Sequence, residues 1–177
     1  RVTLNAGTAQ MIGDITQVET NFTQDGLDMQ LCQQVRPLLD AQGVLQGTLL
    51  AQTLTVTNPA TSSNANFELV RYLDGDLYFD GTLIDGGGRI VTAGGVEILF
   101  ETDRGGSGTT DTTFVGITAV GGTEPSSNRW ELDEYDSLEL DILAGNALTD
   151  TIYQDLDGDS FVDVGLEYNI ELGLRNT

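Results

Sequence analysis

Four carboxylates fall within nine residues near the end of the chain, in Asp155-Leu-Asp157-Gly-Asp159-Ser-Phe-Val-Asp163. Acids this dense repel one another unless a cation sits among them. Oxygen-rich loops of this kind suit Ca²⁺, which takes about six to eight oxygens at about 2.3–2.6 Å. Mg²⁺ fits less well, because it keeps its waters and prefers fewer carboxylates. The plain alternative is a solvated acidic turn after Tyr153. Directly downstream, Val164, Leu166, Tyr168, Ile170, Leu172 and Leu174 occupy every second position, the period of a strand with one buried face. The expectation is a metal-braced turn feeding a core strand.

Counted from Asp155, the acids stand at positions 1, 3, 5 and 9. This spacing resembles the Asp-rich loops of EF-hands, dockerins and thrombospondin type 3 repeats. The resemblance covers nine of 177 residues, so it implies a metal loop and no wider homology. It implies Asp155, Asp157, Asp159 and Asp163 as side-chain ligands and the backbone carbonyl of Phe161, at position 7, as a neutral one. The sequence departs from those loops at two places. Ser160 stands where position 6 is usually Gly, and Leu166 stands at position 12, with Glu167 after it. The flanks read as strand rather than helix.

Asp74, Asp76, Asp80 and Asp85 form a second acidic group, but Asp-Gly is a turn dipeptide, and three turns would place them without any ligand role. Catalysis finds little in the composition. With no His and no Lys, Ser-His, Cys-His and Schiff-base arrangements are excluded. Cys32 reads as a buried apolar thiol. A carboxylate pair could hydrolyse glycosides, with Glu101, Glu131, Glu134 and Glu139 as possible members, yet nothing singles out two of them. Acidic outward strand faces account for them more simply. Trp130, Tyr135 and Tyr153 could stack on a sugar or belong to the core and its rim. Asp85-Gly-Gly-Gly-Arg89 lacks the Lys of a phosphate loop. The expectation is a protein that is not an enzyme.

The 28 acids outnumber seven basic residues, all Arg, for a net charge of −21. Nucleic acid is excluded as a partner, since phosphate contacts need a basic face. Anionic membrane surfaces are disfavoured for the same reason, and no apolar run nears the roughly 18 residues of a membrane span. Acid excess fits divalent cations, saline surroundings or solubility. One cysteine allows no disulfide within the chain, and the absence of Lys rules out a Lys–Asn cross-link. Stability must come from the core, from metal or from neighbouring subunits. A start at Arg1 rather than Met fits a mature product with its signal removed, or an excised segment.

The elements that must position these groups read as strands. Val2 to Ile12 alternate, as do Ile15–Phe22 and Leu27–Leu31. Gln33–Leu39 reads either way, with a short helix possible near Pro37. Leu45–Thr57 sets Leu50, Leu54 and Val56 on one face and Thr on the other. Asn58–Asn66 is a loop by composition. Phe67–Leu73 and Leu77–Phe79 flank Asp74-Gly75 as a hairpin, and Ile90–Thr92 and Val96–Glu101 flank Gly94-Gly95 as another. Asp85–Gly88 is a further turn. Phe114–Val120 is an apolar strand. Trp130, Leu132, Leu138, Leu140 and Ile142 share a parity, with Glu131, Asp133, Glu139 and Asp141 lining the solvent side.

Short strands divided by turn residues, with 22 Gly and only 3 Pro, point to an all-β fold, a single-domain β-sandwich or jelly roll over residues 1–177. Residues 1–12 form an extended N-terminal segment of the kind that completes a neighbour's sheet by strand addition. The leading functional expectation is a secreted, Ca²⁺-stabilised structural protein, a self-assembling subunit of an extracellular filament or surface layer. Its partners would be further copies of itself. A Ca²⁺-dependent carbohydrate-binding module, with glycans as ligands, and a viral jelly-roll capsid or tail subunit are the alternatives.

Overall fold

A computed structural model describes residues 8–12, 15–60, 64–75, 77, 84–103, 114–123, 126–163, 166 and 169–176. The fold is all-β, with ten strands, all paired antiparallel, and one short helix among these residues. The chain divides into two units, Arg1–Ala65 and Asn66–Thr177.

The first unit is a four-stranded sheet in the order β1-β2-β3-β4, built from Thr8–Ile12, Ile15–Gln24, Leu27–Leu39 and Leu45–Thr57. Asp25 and Gly26, with φ of 51° and 81°, make the tight β2–β3 turn, where both central residues need positive φ. β1 pairs with β2 of the same chain, and residues 1–7 of the expected donor segment lie outside the described residues. Gln33–Leu39 is strand throughout, not helix. Its partner β4 matches it almost residue for residue, from Asp28↔Thr57 to Leu39↔Leu45, so ladder bonds and cross-strand contacts override the local ambiguity at Pro37. At the β3–β4 turn the Asp40 carboxylate accepts the N–H groups of Gln42 and Val44 and the side-chain amide of Gln46. These donors, Val44 foremost, hold its pKa below the usual aspartate value.

The second unit holds two three-stranded sheets. One runs β5-β10-β9 (Leu69–Asp74, Ile170–Asn176, Trp130–Glu134) and the other β6-β7-β8 (Gly86–Val91, Glu97–Thr102, Phe114–Ile117). Leu99 of β7 is buried with Leu132 of β9 and with Ile170, Leu172 and Leu174 of β10, so the core lies between the sheets, as in a sandwich. The hairpin around Gly94-Gly95 is present, from Gly86↔Thr102 to Val91↔Glu97. β5 pairs with β10 and ends at Asp74, at the turn of the hairpin expected across Asp74-Gly75. Of that expected hairpin's second arm, residues 78 and 79 lie outside the described residues.

Three expectations are corrected here. Ser137–Ala144 is an α-helix, α1, and not a strand. Leu138 and Ile142, four apart, suit a helical face as well as an alternating one. Gly145, at φ 76°, ends α1 in the left-handed conformation that favours glycine. Secondly, Gly86–Gly88 is not a turn but the buried start of β6. Thirdly, Glu131 does not line solvent. It pairs with Gly173 across the sheet, and a Cβ added at Gly173 would meet Leu148 and Leu138 at 3.2 and 3.3 Å. That face is therefore covered by α1 and the segment after it. Glu171 shares the parity of Gly173 and is fully buried as well. β10 thus has both faces covered and runs Ile170–Asn176, while Val164 and Tyr168 of the expected run lie outside the described residues. Leu166 donates its N–H to the Asp163 carbonyl.

Candidate metal centre

The acidic loop is anchored by two residues of the core, Ile152 before it and Val162 just ahead of its last acid, 9% and 1% exposed. Ile152 forms a parallel bridge with Leu132, flanked by hydrogen bonds from Leu132 N–H to Thr151 O (3.0 Å) and from Tyr153 N–H to Leu132 O (2.7 Å). Upstream, the Asp150 carboxylate accepts the N–H groups of Asn128, Arg129 and Trp130 at 2.6, 2.7 and 3.1 Å. On the far side Phe161 bridges Gly88, with Arg89 N–H donating to Ser160 O and Val162 N–H to Gly87 O, each at 2.9 Å. Both ends of the loop are therefore fixed to sheet strands.

The glycines of β6 permit that approach. A Cβ on Gly88 would lie 2.6 Å from Ser160 O and 2.7 Å from Phe161 Cδ1. One on Gly87 would meet the Phe100 carbonyl of β7. A side chain on Gly88 would push the loop off the sheet, and one on Gly87 would instead press on β7 and Ile170. The Phe161 ring instead packs edge-on against Phe100, with centroids 5.9 Å apart.

Within the loop, backbone N–H groups turn inward onto the carboxylates. Asp155 Oδ1 accepts from Gly158 (2.8 Å) and Asp159 (3.1 Å), and its Oδ2 accepts from Ser160 (3.1 Å). Asp157 Oδ1 accepts from Asp159 at 3.1 Å, and Asp159 Oδ1 from Phe161 at 2.9 Å. These bonds aim the three side chains at one place. Asp155, Asp157 and Asp159 each offer a carboxylate oxygen, all within 4.8 Å of one another. Asp155 Oδ1 takes two N–H donors, but its Oδ2 and the Asp157 and Asp159 Oδ1 atoms take one each, so every carboxylate keeps a lone pair for a ligand. Gly158 and Ser160 both have positive φ, 79° and 73°, so Ser160 takes the hand of the glycine it replaces.

Asp163 is placed differently. Its Oδ2 accepts the N–H of Leu156 at 2.7 Å, and its own N–H donates to Gln154 O at 3.0 Å. It closes the loop and is not among the three converging carboxylates. In Phe161, the N–H faces the loop, toward Asp159, while the bonds to β6 come from its neighbours. In an extended residue the carbonyl lies on the same side as the N–H, so the Phe161 carbonyl points away from β6.

The second acidic group does not assemble as a unit among the described residues. Asp74 ends β5 and is exposed, Asp85 is fully buried before β6, and Asp76 and Asp80 lie outside the described residues. Of the nominated glutamates, Glu101 is fully buried and lies against Gly75, where an added Cβ would meet its carboxylate. Glu131 accepts the N–H and hydroxyl of Thr149 at 3.2 and 2.6 Å. Glu139 is exposed in the first turn of α1, and Glu134 ends β9. Burial raises the pKa of Glu131 and likewise of Glu171, whose Oε1 accepts the Tyr72 hydroxyl. Burial also pushes the Tyr72 phenol up, reinforced by the bond to Glu171.

Of the three aromatics nominated for sugar stacking, Tyr135 is exposed, Tyr153 is half-buried, and Trp130 is engaged otherwise. It packs against the core, and the Arg89 guanidinium lies 4.7 Å from its ring centroid. Arg89 also pairs with Glu97, whose second oxygen is 3.4 Å from Arg129. Reading by strand period missed these partnerships, because period gives a face but not what covers it. Three successive glycines leading into Arg89-Ile-Val were the available signal for close backbone approach. No protein-family model matches the chain, and no curated protein or solved structure is significantly similar to it.

Proposed function

We propose that the chain is a secreted structural protein, a Ca²⁺-stabilised subunit that assembles with copies of itself into an extracellular filament or surface layer. The observation that carries this reading is the convergence of Asp155, Asp157 and Asp159 on a loop whose two ends are built into the core. Three carboxylates supply the hard oxygen donors that Ca²⁺ prefers. The Phe161 carbonyl and water would complete the shell, with Asp163 acting through water at the ninth position. Bound there, the ion would neutralise the loop and tie β9, through Ile152, to β6, through Ser160 and Phe161. That couples metal binding to the stability of both sheets of the second unit.

Titration calorimetry with CaCl₂ and thermal unfolding in CaCl₂ and in EDTA test the metal. Ca²⁺ at about a hundred times its Kd should add about 2.7 kcal/mol to stability. Asp157→Asn should lower that gain, because it removes a ligand charge from an exposed side chain that supports no core contact. No heat of binding, with the same melting temperature in EDTA, would overturn the metal reading. Electron microscopy and sedimentation of the pure chain test assembly separately.

A further inference from the structure

We infer that Asn21 is an N-glycosylation site, the acceptor of one oligosaccharide on the polar face of the first unit's sheet. The inference rests on the secreted part of the reading above, since N-glycans are carried by secreted proteins. Asn21-Phe22-Thr23 has the form N-x-T, with x other than proline. Of the nine asparagines, Asn21 alone has a Ser or Thr two residues on, so one site is at issue. Three residues are a weak signal by themselves, and the fold supplies the rest. β2 carries them as strand, so Asn21 and Thr23 project from one face and Phe22 from the other. Asn21 and Thr23 are exposed, while Phe22 is half-buried. The Asn21 carboxamide has no hydrogen-bond partner among the described residues. The Thr23 hydroxyl donates to the Asp28 carboxylate at 3.2 Å and keeps its own lone pairs as acceptors. The two groups the motif requires are therefore presented side by side on the surface.

The surroundings of Asn21 suit a sugar chain. Across the sheet Asn21 stands opposite Gln30, and Gln30 opposite Thr55; in the next row Thr23, Asp28 and Thr57 align. All six are exposed and polar, and Asp28 is the only charge among them. A groove of about 470 Å³ runs beside Asn21 along these rows, within the size range of small-ligand sites. Its amides and hydroxyls offer a sugar both donors and acceptors. Charge points to the same unit. Residues 66–177 carry 23 of the 28 acids and five of the seven arginines, a net −18, while residues 1–65 carry five acids and two arginines, a net −3. Residues 41–67 are 27 in a row without any charge. The charge that keeps the second unit hydrated is thus nearly missing from the first. A glycan is bulky and solubilising, and Asn21 places it on the unit that lacks charge. In the transfer, Asn21 Nδ2 attacks the anomeric carbon of an oligosaccharide carried on an isoprenoid pyrophosphate. The N–C bond forms as the C–O bond to the pyrophosphate breaks. The pyrophosphate leaves with that electron pair, and the amide gives one proton to the transferase.

The full chain behind a cleavable secretory leader, produced in insect cells, tests the site by intact mass. The leader supplies export, so the result does not depend on how the chain is exported naturally. The secreted chain should exceed its sequence mass by one glycan, and peptide-N-glycosidase F should remove the excess and deamidate Asn21. Asn21→Gln and Thr23→Ala should each leave the cell at sequence mass, while Thr23→Ser, which restores the hydroxyl, should keep the glycan. A parent chain secreted without a glycan, or a glycan that survives Asn21→Gln, would overturn the inference. If that bare chain still takes up Ca²⁺ and assembles, this site fails and the reading above stands. A glycosylated chain that takes up no Ca²⁺ and stays monomeric would support the site and overturn the calcium and assembly reading.

Discussion

Ser160 sits at φ 73°, where a side chain costs about 1 kcal/mol that glycine does not incur. Ser160→Gly should therefore stabilise the protein slightly, by about 0–0.5 kcal/mol, once glycine's own entropic cost of about 0.5–1 kcal/mol is set against the relief. Urea unfolding followed by circular dichroism measures it, and a loss of stability would show that the hydroxyl matters more than the backbone. Glu171 gives a pH prediction. Burial raises its folded-state pKa, with Asp74 and Glu139 adding repulsion and the Tyr72 hydroxyl acting against it. The folded chain then holds that proton more tightly than the unfolded chain. Its contribution favours folding below the ordinary value of 4.5 and is lost as pH climbs through the raised one. Glu171→Gln, which cannot ionise, should gain melting temperature relative to the parent as pH rises from 4.5 toward neutrality. A difference that stays flat with pH would contradict this. Tyr72→Phe leaves the buried Glu171 Oε1 without its donor and should cost about 1–3 kcal/mol. At this scale the Asp spacing was legible from the sequence, because a loop's ligands are close in the chain. The burial of Glu131, Glu171 and Asp85 was not, because it depends on distant segments that cover them.

Among elements, β6 limits how the loop can sit. Gly88→Ala places a methyl group against Ser160 O and Phe161 and should cost about 1–3 kcal/mol. It should also weaken Ca²⁺ uptake, because the loop's far end must shift. Gly94→Ala is the control. Its nearest contact would be 3.9 Å away, so it should stay within about 0.5 kcal/mol of the parent. Calorimetry on both variants separates a displaced loop from a general intolerance of glycine replacement. The β6–β7 hairpin was legible because Gly94-Gly95 marks its turn locally. β3–β4 pairing was legible in part, since alternation in β4 is clean while Pro37 blurs β3. α1 was not, because Leu138 and Ile142 fit both periods while Leu140, exposed on the helix, completes a false alternation, and the stop at Gly145 decides only once the helix is allowed.

For the whole molecule, the uneven division of charge predicts an uneven response to salt. Self-repulsion in the second unit, net −18, should fall as the Debye length shrinks from about 30 Å at 0.01 M to about 10 Å at 0.1 M. Added NaCl in EDTA should raise the melting temperature of that unit and leave the first almost unmoved. Scanning calorimetry across NaCl concentrations checks it, and equal shifts in both units would mean that charge does not govern the difference. The division itself was not legible in the sequence. The Asn58–Asn66 loop reads as any connection between strands, and only the sets of pairings on either side of it separate the sheets.

The lone indole and the lone thiol fall on opposite sides of that division. Trp130, under the Arg89 guanidinium, belongs to the second unit, and Cys32, partly exposed on β3, to the first. Emission from the first and labelling kinetics of the second therefore give each half its own optical or chemical probe, with no residue added. Melting followed by both on one sample asks whether the halves come apart together or in turn.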